Sequence, residues 1–401
     1  MAQDILMARQ PIYDTALNVV AYELLYRDKA NANASIFDDG NLATSQVLVN
    51  NYTSIYNSGE LKTLPAFINL TKDLVQSDQI PGLNRHHIVI ELLEDMAVDG
   101  DLVSGVQRLI KAGYRVALDD FIYSPEYDPI IKLAHIVKLD LMNMTRQQLI
   151  DHVEILKPFK VTLLAEKIET QEEFELCKDL GFKLFQGYFL CHPQIVEGKR
   201  LNTSELVVIE LMSLLADPDI TPAKIEQVLK KDPQLTYKIL RIVNSSAYAL
   251  VRKIESIEEA VVLIGIGEIK RWCALFSLTG ASGKPDELTR HTLIKARMCE
   301  LIAPTLHNLP PSSGFMMGII SGMDALLDIP IEDIMEQVAL TEDIERAILF
   351  AEGDYGDLLC SVDSFIQAKW HKLPDSVSEQ QLHQAYLDSL KWVTDTMKTV
   401  E

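Results

Sequence analysis

VALDDFIYSPEYDPI, residues 116–130, ends an apolar run, Val116-Ala117-Leu118, in two adjacent acids, Asp119 and Asp120, and continues into a loop with two prolines and no glycine. Such a run reads as a buried strand that carries polar side chains at its carboxyl end. The pattern recurs in both directions from it. DILMAR, NVVAYELLY, PAFINL, HHIVIEL, YRVALDD, HIVKLD, VTLLAE and KLFQGYFL are strand candidates within residues 4–190, and between most of them lie amphipathic segments such as NLATSQVLVN and GDLVSGVQRLIKAG. These segments are long enough for crossover helices, so the pattern predicts a parallel α/β domain. Six or more repeats in under 200 residues predict a closed, TIM-like β/α barrel.

After Pro193 strand-like alternation largely disappears and helix-start signals take over. Thr221-Pro222 and Asp232-Pro233 each set a capping residue before a proline at the first helical position, and Ser256 with Glu259 has the spacing of a capping box. The polar stretch EGKRLNTS, residues 197–204, marks the expected boundary: a barrel over residues 1–197 and an all-helical domain over residues 198–401.

The 401-residue chain carries a net charge of −21, −9 over residues 1–200 and −12 over residues 201–401, which argues against DNA as a partner for either half, including the helix-turn-helix-like GIGEIKRW. No apolar run reaches the roughly 18 residues that span a bilayer, and the first residues lack the apolar core of a signal peptide, so the expectation is a cytoplasmic protein without a membrane anchor. Five cysteines in no CxxC pair predict reduced thiols rather than a disulfide framework or a zinc site.

Most of the first-half strands end in, or carry near their end, a residue able to hold a metal or a phosphate: Glu23, Asn69, Glu91, Asp119 and Asp120, Lys138, Glu166 and Gln186. In a β/α barrel the carboxyl ends of the strands converge on one rim, where the chemistry is placed. Five carboxylates and an amide brought together there would repel unless cations joined them, and all-oxygen ligands suit magnesium, manganese or calcium. Any one acid at a strand end is ordinarily a solvated carboxylate or the cap of the next helix. Recurrence on successive strands separates the two readings.

The set E-x-L-x-R (Glu23, Leu25, Arg27), F-x-N-x-T (Phe67, Asn69, Thr71), E-x-x-E (Glu91, Glu94), DDF (119–121), K-x-D (Lys138, Asp140), AE-x-x-E (Glu166, Glu169) and QGY (186–188) resembles the EAL domain family of cyclic di-GMP phosphodiesterases, over roughly residues 3–195. The resemblance implies two Mg2+ or Mn2+ ions per site. Glu23, Asn69, Glu91 and Asp119 would hold the first, and Asp119, Asp120 and Glu166 the second. It also implies catalytic roles for Lys138 and Glu166, substrate contacts from Gln10, Arg27 and Gln186, and supporting roles for Glu94, Asp140 and Glu169. Lys167 stands where the family usually has glycine, and IYSPEYDP replaces a glycine- and serine-rich loop.

DPQLTYKILRIVNSSAY and SIEEAVVLIGIGEIKRW resemble the HDOD family, helical relatives of HD phosphohydrolases. No His-Asp dipeptide occurs in residues 200–401, and Ser321 and Gly322 fall where it is expected, so His291 has no paired metal site to join. The expectations that follow are hydrolysis of cyclic di-GMP to linear pGpG by the barrel, a protein partner bound through the helical half, and a possible homodimer. The alternative is a cyclic di-GMP receptor or scaffold without turnover.

Overall fold

Eight strands close in chain order: β1 (Ile5–Tyr13), β2 (Val19–Asp28), β3 (Ala66–Leu70), β4 (Ile88–Leu92), β5 (Arg115–Leu118), β6 (Ile136–Asp140), β7 (Thr162–Ile168) and β8 (Leu184–Gly187). The computed structural model describes residues 5–28, 64–77, 85–93, 96–188 and most of 203–400, with breaks at 218–219, 230–232, 245–253, 255, 280–284, 307, 337, 339 and 375–376. The chain divides into two units, Met1–Leu190 and Cys191–Glu401. The expected boundary at 197/198 and the crossover segment NLATSQVLVN lie outside the described residues.

From β2 to β8 every neighbouring pair is parallel, but β1 is antiparallel to both β2 and β8. The reversed first strand modifies the β/α barrel there, and the reason is chain length. Only residues 14–18 join β1 to β2, and a parallel return needs a crossover of about a dozen residues or more. Asp14 closes that turn by accepting hydrogen bonds from the backbone N–H groups of Ala16 and Asn18.

On the outside lie α1 (Lys72–Gln76), α2 (Gly100–Lys111), α3 (Asp128–Ile131), α4 (Arg146–Leu156) and α5 (Gln171–Leu180). The starts of α4 and α5 are written in the sequence: Thr145 with Gln148 and Thr170 with Glu173 form complete capping boxes, each satisfying helix N–H groups that would otherwise lack acceptors. Leu102, Val106 and Leu109 sit on one face of α2 and are buried, at about 1.5–3 kcal/mol each.

Period-two alternation sorts the strand residues into two cores. Ile68, Ile90, Val116, Leu118, Val137 and Leu139 pack outward with Leu102, Val106 and Phe174 of the helices. Ile12, Ala21, Phe67, Val89, Ala117, Ile136 and Leu164 form a second buried cluster that fills the barrel interior. Two residues beyond these interior positions, toward the carboxyl rim, stand Glu23, Asn69, Glu91, Asp119, Lys138 and Glu166. An apolar layer therefore lies directly beneath a polar one.

The described residues of the second unit form α-helices and short connections, with no strand among them: α6 (Thr203–Ala216), α7 (Pro222–Leu229), α8 (Pro233–Val243), α9 (Ile257–Ile264), α10 (Ile266–Thr279), α11 (Asp286–Ile302), α12 (Pro311–Ile320), α13 (Met323–Leu327), α14 (Ile331–Met335), α15 (Glu342–Phe350), α16 (Gly353–Ile366) and α17 (Glu379–Val400). The two Pro-led helices begin where the sequence places them, and Ser256 caps α9 by accepting from the N–H of Glu259. Helix α11 is central, packed on α12, α16 and α17. It approaches α12 so closely that a Cβ on Gly318 would lie 2.5 Å from Ala296 Cα. No helix among the described residues is long and apolar enough to cross a membrane.

Candidate active site

The polar layer converges on one ammonium. Lys138, fully buried at the middle of β6, places Nζ 2.6 Å from Glu91 Oε1, 2.6 Å from Asp119 Oδ1, 2.9 Å from Glu166 Oε1 and 3.5 Å from Glu23 Oε1. Pairing sets Asn69 opposite Glu91, but Glu91 opposite Ala117 and Lys138 opposite Leu164, each two residues short of Asp119 and Glu166, so it is the stagger of the closed, tilted barrel that brings these side chains together. Gln186 of β8 donates from Nε2 to Glu23 Oε2 at 2.5 Å and to Gln10 Oε1 at 3.0 Å, which ties the first, second and last strands together across the ring.

The ring is short of positive charge. Burial pushes the Glu91 and Glu166 carboxyls well above the usual range, against the pull of Lys138. Burial would lower the Lys138 ammonium, but Glu166, Glu23, Glu91 and Asp119 outweigh it and hold its pKa well above the ordinary lysine value. Glu91 Oε2 and Glu166 Oε2 are buried and receive no hydrogen bond. Glu23, Glu91 and Asp119 each turn an oxygen to within 4.8 Å of the others. Convergent hard oxygens with unmet charge fit a divalent cation of the magnesium or manganese type, with Asn69 beside them on β3.

Asp120 does not join this ring. β5 ends at Leu118, and Asp120 takes a left-handed φ of +39°. Its Oδ1 lies 3.5 Å from Lys167 Nζ, which also pairs with Asp140 Oδ2 at 2.5 Å. Lys167 is itself left-handed, with φ +55°, a conformation that costs a non-glycine residue about 1–2 kcal/mol. Asp140, nearly fully buried, also accepts from the Met142 N–H at 2.8 Å and from Asn143 Nδ2 at 2.6 Å, so it supports the loop after β6.

The remaining sequence-predicted residues fall elsewhere. Glu169 has an exposed side chain, and its N–H donates to Glu173 at the start of α5, away from the ring. Arg27 stands opposite Leu6 in the β1–β2 ladder, but its side chain and all of Glu94 lie outside the described residues. Sequence reasoning missed the ion-pairing role of Lys167. The signal was there in the unusual lysine after Ala165-Glu166, but only folding shows that it points at Asp120 and Asp140.

The loop IYSPEYDP supports itself without glycine. Pro125 starts a single 3-10 turn, Tyr123 Oη donates to Asp128 Oδ1 at 3.2 Å, and the Tyr123 N–H donates to His152 Nε2 at 3.3 Å. Phe121 meets Tyr127 edge to face, with centroids 5.5 Å apart. In the helical unit, Ser321 Oγ donates to the Gly318 carbonyl, and a Cβ on Gly322 would come 3.0 Å from Thr292 Oγ1. His291 lies one turn before Lys295, which pairs with Asp363 at 3.0 Å.

Residues 2–193 match the family model of the EAL domain, and residues 201–347 match that of the HDOD domain. The chain is 33% identical over 405 residues to the uncharacterized protein YuxH of Bacillus subtilis (strain 168), covering 98% of this chain and 99% of that one. It is 31% identical to the cyclic di-GMP phosphodiesterase CdgJ of Vibrio cholerae serotype O1, covering 98% of this chain and 93% of that one. Among solved structures, a standalone EAL protein of Vibrio cholerae O395 in its c-di-GMP-bound form aligns with 20% identity, 47% of this chain and 91% of that chain, at a TM-score of 0.39.

Proposed function

The chain belongs to the family of proteins that join an EAL domain to an HDOD domain, and from that premise we propose that its barrel is a metal-dependent phosphodiesterase that opens cyclic di-GMP to linear pGpG. The observation that carries the reading is the buried ring of Glu23, Glu91, Asp119 and Glu166 around Lys138 at the carboxyl rim. Mg2+ or Mn2+ would be held by Glu23, Glu91 and Asp119 with Asn69, and when bound it supplies Lewis acidity at phosphorus.

The chain's own residues do the rest. Glu166, 2.9 Å from Lys138 Nζ at the rim, would accept the proton of the attacking water once the ion is bound. Lys138, held cationic by the acids around it, would contact and orient the attacking water. The water oxygen bonds to phosphorus as the P–O3′ bond breaks, and the proton passes to the leaving 3′ oxygen, which yields one 5′-phosphate and one 3′-hydroxyl. Gln10 and Gln186 present amides beside the ring, and with Arg27 they would orient the dinucleotide.

The helical unit regulates the barrel or relays its state to a protein partner, and the whole acts in the cytoplasm. The test is incubation of the full chain with cyclic di-GMP and Mn2+ or Mg2+, followed by chromatography for pGpG. Appearance of pGpG, inhibited when Ca2+ replaces the activating ion, is the expected result, because calcium takes more ligands at longer, looser distances. Binding of cyclic di-GMP without any pGpG would refute turnover and leave a receptor.

A further inference from the structure

Lys167 is placed by a bulge. Between β7 and β8 the register advances from Ala165 opposite Phe185 to Ile168 opposite Gly187, three residues on one strand against two on the other. The extra residue lets two adjacent side chains serve one rim: Glu166 turns into the ring, and Lys167, which on a regular strand would point to the other face, reaches back over the end of β6. Gly187 makes the bulge possible, since its φ is +152° and a Cβ there would lie 2.1 Å from the Ile168 carbonyl oxygen. Asp120 comes to the same point from β5 through its own left-handed backbone, and its buried Oδ1 receives no hydrogen bond.

The acids at the rim therefore divide into two groups. Glu23, Glu91 and Asp119 form a set with ligating oxygens within 4.8 Å of each other, while Asp120 and Asp140 face an ammonium the protein supplies itself. A divalent ion bound to Asp120 would sit within a few ångströms of Lys167 Nζ, with like charges opposed. A glycine would meet the positive φ at no steric cost, so the strain is borne for the sake of the side chain.

We propose that Lys167 is a built-in cation that takes the place of a second divalent ion beside Asp120, so that the resting barrel holds one exchangeable Mn2+ or Mg2+ rather than two. This rests on the metal-dependent reading of the ring. It replaces the expectation of an ion shared by Asp119, Asp120 and Glu166. Lys167 is a positioning residue: it sets the charge and orientation of Asp120 and Asp140 and touches neither the first ion's oxygens nor the ring's ammonium.

The experiment counts ions without substrate. The metal-free full chain is titrated with Mn2+ in moderate salt, bound ion is measured by equilibrium dialysis, and electron paramagnetic resonance reports whether bound ions are isolated or coupled as a close pair. Wild type is expected to show one isolated Mn2+. Lys167→Gly, which suits the backbone, is expected to show a coupled pair, as is Lys167→Met, which keeps the stem. Lys167→Arg should stay at one. Circular dichroism of each variant confirms the fold. A coupled pair in wild type, or a single isolated ion in both the glycine and methionine variants, overturns the proposal. Wild type that binds no Mn2+ overturns the metal-dependent reading and this proposal with it. One isolated ion without any hydrolysis overturns the proposed function alone.

Discussion

Replacing Lys138 with methionine removes the ammonium and keeps the volume. Four carboxylates then face one another with no counter-charge, from positions now 2.6, 2.6, 2.9 and 3.5 Å from Nζ. Coulomb attraction at such distances is several kcal/mol per pair even at an effective dielectric of about 20, and the desolvation of fully buried groups takes much of it back. Removing one partner of a buried pair costs about 3–5 kcal/mol, and for a domain of the barrel's size that lowers Tm by roughly 6–20 °C.

The sign with pH follows from which groups move. Lys138 has a raised pKa, so in wild type its contribution is fully present below its ordinary 10.5 and does not change between about pH 5.5 and 8. In Lys138→Met the Glu91 and Glu166 carboxyls, already raised, rise further. The fold then binds more protons than the unfolded chain, and stability falls as pH climbs from about 4.5 through the raised values. The deficit should lie near the lower figure at pH 5.5 and near the upper one at pH 8. Saturating Mn2+ should recover much of it by re-supplying charge. The assay is thermal melting followed by far-ultraviolet circular dichroism in chelator and in Mn2+, because Trp272, Trp370 and Trp392 all lie in the helical half and their fluorescence reports on that half instead. A variant as stable as wild type in chelator at pH 8, or a deficit that shrinks as pH rises, would refute the ring's electrostatic account.

Glu23→Ala and Asp119→Ala should each lower Mn2+ affinity in calorimetric titration and reduce pGpG formation by at least about 100-fold, the order seen when one group stabilising a transition state is removed. His291 is pulled down to about 4, by burial first and then by Lys295, so the folded helical unit favours its neutral form. Its share of stability is present above about pH 6.5 and is lost as pH falls toward 4. His291→Gln should flatten that acid limb in urea melts read by tryptophan fluorescence while leaving phosphodiesterase turnover unchanged. Thr170→Ala removes the capping box of α5 and should cost about 1 kcal/mol in the barrel's melt with little change in turnover, whereas a loss well beyond 2 kcal/mol would show that the cap does more than satisfy N–H groups.

Much of this was legible in the linear chain because it depends on short-range rules. Alternation with period two marked the eight strands, and an apolar residue two places before each ring member, as in Ala117 before Asp119 or Ile136 before Lys138, already placed both on one face. Ser256 with Glu259 marked the start of α9, since the hydrogen bonds that cap a helix are local. The five-residue gap after Tyr13 was likewise enough to turn β1 against its neighbours, although the pattern of strands and helices alone suggested a parallel sheet.

Tertiary structure decided what depends on distance between strand ends. Asp119 and Asp120 are neighbours in the chain yet serve different cations, because β5 stops before them and one φ angle separates their side chains. Lys138 could be placed on β6 from sequence, but its position at the centre of four carboxylates follows from the closure of the barrel, which sums register and tilt over every strand pair. Lys167 shows the same limit most clearly. In the chain it follows Glu166 and lies 27 residues from Asp140, and only a bulge in β7, held by a glycine on β8, aims it at that acid. A bulge shifts the face of a side chain through pairing with another strand, so no local pattern encodes it.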